Sequence, residues 1–171
     1  RPQLGQGHRA QLRLGVSVEG ERALVGFQDP VVRVGKQDRV VGMRISIEEL
    51  EQDGLTVSEV TAVCRELAAR KALDYVNITT GSMAGLGGSI HVVPPMEVRN
   101  GYVAPQAGTL RAEVGIPVFV AGRINQPQQA EKILASGLAD MCGMTRAMIS
   151  DPDMADKAKA GRLDDIRACI A

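Results

Sequence analysis

From residue 40 onward, short apolar runs alternate with longer stretches whose apolar positions recur every three or four residues. The short runs read as strands and the longer stretches as amphipathic helices. Val40-Val41-Gly42-Met43-Arg44-Ile45-Ser46 predicts a buried strand that ends in polar residues. Thr56-Val57-Ser58-Glu59 has the spacing of a capping box, and Val60, Val63, Cys64 and Leu67 then form a helical stripe. Asp74–Thr79 predicts the next strand, followed by a glycine-rich loop from Gly81 to Gly88 that continues through Val93-Pro94-Pro95. A helix is expected near Ala104–Val114 and a third strand from Pro117. Asn125 and Pro127 signal the next helix start and Gly137 its stop. A fourth strand over Asp140–Met144 precedes a helix that Asp151-Pro152 starts and Gly161 ends.

Four successive strand–helix units predict an α/β fold with a parallel sheet and right-handed crossovers. A doubly wound sheet and part of a (β/α)8 barrel both satisfy this pattern. Residues 1–38 break it: Gly5, Gly7, Gly15, Gly20 and Gly26 interrupt short apolar pieces without a sustained period. This segment reads as loosely ordered, or as a short helix near Pro30–Val34, ahead of a folded region over 39–171.

Composition narrows the function classes. A chain of 171 residues suffices for one domain with a real core. Twenty basic and twenty acidic side chains cancel, which argues against a nucleic-acid partner. Aromatic residues make up 2% with no tryptophan, so base stacking and aromatic cages have little to draw on. No apolar run is long enough for a transmembrane helix, and the first residues lack the apolar core of a signal peptide. Cys64, Cys142 and Cys169 are too scattered for a disulfide framework, which fits a reducing, cytoplasmic setting.

Candidate chemistry collects at two strand ends. Val118-Phe119-Val120-Ala121 runs into Gly122-Arg123, and Met141-Cys142-Gly143-Met144 runs into Thr145-Arg146. Neighbouring parallel strands would set free backbone N–H groups and two guanidinium groups at one edge, an arrangement that suits a phosphate.

Taken in order, these segments resemble the last four strands of an Old Yellow Enzyme-type NADH:flavin oxidoreductase. The segments are Val41–Ser46, Tyr75–Ser82, Val118–Ile124 and Met141–Pro152. The tail Gly161-Arg162-Leu163-Asp164-Asp165-Ile166-Arg167-Ala168-Cys169 is similar to the branch containing 2,4-dienoyl-CoA reductase, trimethylamine dehydrogenase and N-methyl amino acid demethylases. The resemblance implies roughly strands 5–8 of an FMN-binding (β/α)8 barrel, matched over about residues 38–171. By the same resemblance Gly122, Arg123, Thr145 and Arg146 grip the FMN phosphate, and Arg44 faces the pyrimidine side of the flavin. Thr145 departs from the glycine usual at its position. His91 is a candidate substrate contact. Cys169 stands where the family's iron–sulfur motif begins, so it would ligate a 4Fe–4S cluster only in a longer chain. NAD(P)H and a small-molecule substrate are the implied partners, with no nucleic acid and no membrane.

The departures bear on function. The residues that the family uses to activate substrate and donate a proton belong to the barrel half not matched here, so no catalytic residue is assigned. Leu86 and Ser89 stand where trimethylamine dehydrogenase has its cation cage, which points away from trimethylamine, and the loop Gly81–Pro95 instead resembles relatives that demethylate N-methylated amino acids. Two readings compete with an FMN-dependent oxidoreductase. One is an inactive half-barrel that keeps only the phosphate edge and associates with itself or the missing half to cover open strands. The other is a dihydroorotate- or dihydrouridine-type flavoprotein, against which the 164–169 tail counts.

Overall fold

The computed structural model describes the backbone of residues 14–18 and 21–25 and all of residues 40–170. Strands β1 (Leu14–Val18) and β2 (Glu21–Val25) pair antiparallel from Leu14 opposite Val25 to Val18 opposite Glu21. This hairpin corrects the expectation of loose order for that stretch. Val16 and Val18 alternate with Gly15 and Ser17, a period of two too short to stand out among the glycines. The helix expected near Pro30–Val34 lies outside the described residues. The hairpin falls in one compact unit, Arg1–Val40, and everything below in a second, Val41–Ala171.

The second unit is a parallel four-stranded sheet in the order β3 (Gly42–Ser46), β4 (Tyr75–Thr79), β5 (Val118–Ala121), β6 (Met141–Gly143). Its helices are α1 (Val57–Ala69), α2 (Leu86–Val92), α3 (Ala104–Val114), α4 (Pro127–Ala135), α5 (Thr145–Ser150) and α6 (Met154–Lys159). Consecutive strands are neighbours, each joined to the next through helix, as in successive units of a (β/α)8 barrel.

Strand alternation divides the sheet into two chemically different faces. Met43, Val76, Ile78, Val118 and Val120 are buried on the face that carries the core. Val60 and Cys64 of α1 and Leu110 of α3 are also fully buried, and α3 packs on both α1 and β5. Each such aliphatic side chain contributes about 1.5–3 kcal/mol. The other face carries the row Arg44–Asn77–Phe119–Met141, set side by side by the strand register. Tyr75 and Phe119 stack there with ring centroids 4.7 Å apart. In a closed barrel this face points inward.

Local signals hold where they are purely local. The capping box forms as the spacing predicts: Glu59 N–H donates to Thr56 Oγ1, and Thr56 N–H donates to the Glu59 carboxylate. Such a cap is worth about 1 kcal/mol. Gly137 and Gly161 follow α4 and α6 with φ of 68° and 74°, the left-handed stop expected of them.

Three local readings are corrected. The N-cap of α4 is Gln126, and Asn125 faces elsewhere. The residue at the N-cap of α6 is Asp153, whereas Asp151 is fully buried and accepts from Lys157 Nζ at 2.7 Å, Arg167 N at 2.9 Å and Asp153 N at 3.2 Å. The glycine-rich loop contains a helix, α2, despite the low helix propensity of Gly87 and Gly88. Its support is tertiary. Glu51 Oε1 accepts from Gly88 N–H and from Ser82 Oγ, both at 3.2 Å. A Cβ on Gly88 would lie 2.7 Å from the Glu49 carbonyl oxygen, so only glycine allows this approach.

Candidate functional site

All four parallel strands end at one cavity of about 510 Å³. That size falls within the roughly 300–1,000 Å³ of small-molecule sites. Arg44 enters from β3 and Thr79 from β4, and Gly122, Arg123 and Asn125 follow β5. Gly143, Thr145 and Arg146 come from β6 and α5. His91, Pro94 and Tyr102, from the segment after β4, close a side. The structure therefore brings together Arg44, His91, Gly122, Arg123, Thr145 and Arg146, which lie as far apart as 102 positions in sequence.

Among the described residues the lining holds three arginines and no carboxylate. The Arg44 side chain is exposed and makes no hydrogen bond or ion pair with the described residues. Arg123 is fixed through one nitrogen: its Nη1 donates to the Val98 carbonyl at 2.5 Å and to Asn100 Oδ1 at 2.6 Å. Its Nε is buried without an acceptor. Arg146 Nη1 donates to the Pro94 carbonyl at 3.0 Å. Both guanidinium groups are thus anchored by neutral carbonyl oxygens and keep their charge unneutralised by any acid among the described residues. A chain with no net charge has concentrated positive potential in one cleft, the condition for attracting an anion.

Backbone geometry at the end of β5 serves the same cleft. Arg123 has φ 51°, the left-handed region that a non-glycine residue occupies only under constraint. Just before it, a Cβ on Gly122 would sit 2.3 Å from Val103 Cγ2 and 3.2 Å from the Tyr102 ring. Glycine there lets the strand end lie directly against the 102–103 segment. Tyr102 in turn donates from its hydroxyl to the His91 carbonyl oxygen. Burial raises the Tyr102 phenol pKa and the nearby Arg146 charge pulls it down.

His91 Nδ1 donates to the Gly87 carbonyl oxygen at 2.9 Å, and its ring is 5.9 Å from that of Tyr102. Leu86 and Ser89 do not line the cavity; Leu86 is 78% exposed. Tyr102, which lines the cavity, and Asn100, which holds Arg123 Nη1, are absent from the sequence reading, and Asn125 enters it only as a helix-start signal. Asn77, beside Arg44 on the inward face, was also passed over; its Oδ1 is buried with no partner. An uncommon tyrosine next to Gly101 was the one available signal for this group.

The cysteines do not form a metal centre here. Burial pushes the Cys64 thiol up to about 12, and also raises that of Cys142. Cys169 does not line the cavity, but its carbonyl oxygen accepts from Asn125 Nδ2 at 3.1 Å. Among the described residues no group of three or more His, Cys, Asp or Glu is placed to hold a metal ion. Iodoacetamide at pH 8 is expected to leave Cys64 unmodified in the folded chain and to label it only in denaturant, as read by peptide mass spectrometry. Rapid native labelling of Cys64 would contradict the buried, protonated thiol.

Residues 22–165 match the model of the NADH:flavin oxidoreductase / NADH oxidase family, which takes in part of the N-terminal segment that the residues alone leave unmatched. The chain is 30% identical over 169 residues to N,N-dimethylglycine/sarcosine dehydrogenase of Chromohalobacter salexigens, covering 98% of this chain and 23% of that protein. It is 33% identical over 134 residues to the multifunctional alkene reductase/demethylase OYE of Caballeronia cordobensis, covering 78% of this chain and 19% of that one. Among solved structures, a 2-naphthoyl-CoA reductase in complex with 2-naphthoyl-CoA superposes with a TM-score of 0.67 at 32% identity, over 74% of this chain and 19% of that one. The chain spans about a fifth of the length of these relatives.

Proposed function

The chain belongs to the NADH:flavin oxidoreductase / NADH oxidase family, and from that premise we propose that its strand-end cavity is the phosphate and pyrimidine side of an FMN site. The observation that carries this is the convergence of Arg44, Arg123 and Arg146 on one cavity without a lining carboxylate. The buried, unpartnered Nε of Arg123 supports it, because a desolvated donor calls for an acceptor.

Each residue then has a distinct task. Arg123 and Arg146 would hold the phosphate with the N–H donors not already given to carbonyl oxygens, and the Thr145 hydroxyl and amide would add neutral donors. Arg44, one strand pair away, would place its charge against the flavin pyrimidine edge. A cation there favours the negative charge that accumulates on reduction. When bound, FMN supplies hydride exchange at its N5. Tyr102 and the Arg146 contact to Pro94 keep His91 at the cavity wall, where it would meet substrate.

In the whole protein this becomes an oxidoreductase that exchanges hydride between NAD(P)H and a small-molecule substrate. The dimethylglycine/sarcosine dehydrogenase relative favours an N-methylated amino acid, and the alkene reductase relative an enoyl compound. We place the proton-transferring residues outside this chain. A 4Fe–4S cluster needs about four thiolates; Cys169 would supply one only in a longer chain, and burial, which raises the thiol pKa of Cys64 and Cys142, makes these two poor candidates for such a site. A reducing, cytosolic compartment suits these thiols, and no helix of the described residues is long and apolar enough to cross a membrane.

The test is the visible absorption of the purified chain after incubation with FMN and desalting. Retained flavin bands that bleach on adding NADH are expected. A folded, colourless chain that binds inorganic phosphate but never FMN would favour the alternative, a half-barrel without turnover. The openness of the inward face, where Met141 is 52% exposed, is the observation on that side.

A further inference from the structure

A hydrogen-bond relay leaves the cavity at Arg123. Its Nη1 donates to Asn100 Oδ1 at 2.6 Å, and Asn100 Nδ2 donates to Asn125 Oδ1 at 3.3 Å. Asn125 Nδ2 then donates to the Cys169 carbonyl oxygen at 3.1 Å. The two ends dictate how both amides point. A guanidinium has only donors, so Asn100 must offer it oxygen and turn its NH2 outward. A backbone carbonyl only accepts, so Asn125 must offer NH2 to Cys169 and oxygen to Asn100. The relay is therefore self-consistent from either end, and flipping one amide breaks two contacts.

The relay joins two parts of the chain that are each held independently. At one end, Val98 and Asn100 hold Arg123 through Nη1, which leaves Nε and Nη2, the edge that grips an oxyanion with two parallel bonds. At the other end, Asp151 accepts from Arg167 N–H at 2.9 Å, and Ser150 Oγ donates to the Arg167 carbonyl at 3.3 Å. Between these anchors, Asn100 and Asn125 connect the anion-binding arginine to the segment around Cys169, 46 positions further along the chain.

The geometry points to Asn100 and Asn125 as positioning residues that couple anion binding at Arg123 to the order of the Leu163–Ile170 segment. This rests on the anion-binding reading of the cavity and extends it to a second region of the molecule. An anion drawn onto Nε and Nη2 holds the guanidinium in place, which stabilises the relay and with it the position of Cys169. By linkage the effect is reciprocal: an ordered segment raises the affinity for the anion by the same factor.

Hydrogen exchange of a peptide covering 163–170, measured by mass spectrometry with and without FMN, tests the coupling, and inorganic phosphate serves as a second probe. In the unmodified chain FMN is expected to slow exchange there by about three- to fivefold, the low end of such couplings because Asn100 is exposed. Asn100→Ala is expected to weaken FMN binding about fivefold and to abolish the added protection. Because both residues belong to one relay, the Asn100→Ala, Asn125→Ala double variant is expected to bind FMN no more weakly than the worse single variant. Binding of FMN to the unmodified chain without any change at 163–170 overturns the coupling, as does full additivity of the two variants. Failure of both FMN and phosphate to bind instead removes the anion site itself, and the coupling with it.

Discussion

Replacing Arg123 and Arg146 together by alanine is expected to lower FMN affinity by two orders of magnitude or more while leaving riboflavin affinity nearly unchanged. On the proposed reading each guanidinium would give the phosphate charge-assisted hydrogen bonds worth about 1.5–3 kcal/mol, so losing both would cost roughly 3–6 kcal/mol. Riboflavin lacks the phosphate and so does not sense the loss. Titration by flavin fluorescence quenching separates the two ligands. Lysine replacements sharpen the reading: Arg123→Lys keeps the charge but loses the planar fork, so its affinity should fall between those of the parent and the alanine variant. Equal losses for FMN and riboflavin would mean that these arginines support the loop at 94–100 rather than a phosphate. That alternative is physically concrete, because both already donate to carbonyl oxygens of that loop.

Asp151→Ala is expected to lower the melting temperature by roughly 10 °C, the scale for breaking a buried ion pair in a domain of this size. The carboxylate is fully buried, and its loss leaves Lys157 and the Arg167 N–H without their acceptor. Asp151→Asn keeps the shape and some of the hydrogen bonding, so a smaller loss is expected. The same residue predicts a pH dependence. The hydrogen bond from Lys157, with those from the Arg167 and Asp153 amides, holds the Asp151 pKa below its ordinary value. A depressed carboxyl pKa stabilises the fold above the unfolded value, about 4, and that contribution is lost as pH falls through the folded value. Asp140 adds in the same direction through its bidentate contact with Arg111, more weakly because both are partly exposed. The melting temperature should hold from neutral pH to about 5 and decline below it. In Asp151→Ala that acid decline should be shallower. An unchanged acid profile would show that Asp151 does not carry it.

The readable parts of this chain are those whose physics is local. Thr56 and Glu59 lie within one helical turn, so the capping box needs nothing from the rest of the molecule. Gly137 and Gly161 stop helices because glycine takes the left-handed backbone angle without steric cost. Strands β3 to β6 announce themselves because a sheet buried against helices needs near-continuous apolar runs. The motifs at Gly122-Arg123 and Thr145-Arg146 are legible for a related reason: they sit at the ends of those strands, where the cavity-lining residues gather.

What the sequence alone determined, then, is the order of strands and helices and the location of the strand ends. Only the tertiary structure decided which residues complete the site. Helix α2 forms in a glycine-rich stretch because Glu51, 37 positions away, accepts from Gly88. Asn125 and Asp151 look like helix caps in sequence, yet their side chains answer to Asn100, Cys169, Lys157 and Arg167. Tyr102 and Pro94, from the segment joining β4 to β5, line the cavity because those strands pair side by side. These contacts join residues far apart along the chain, and no periodicity or short motif encodes a long-range partner. The strands place the arginines at the cavity; the packed loops decide which of their nitrogens are already taken by carbonyl oxygens.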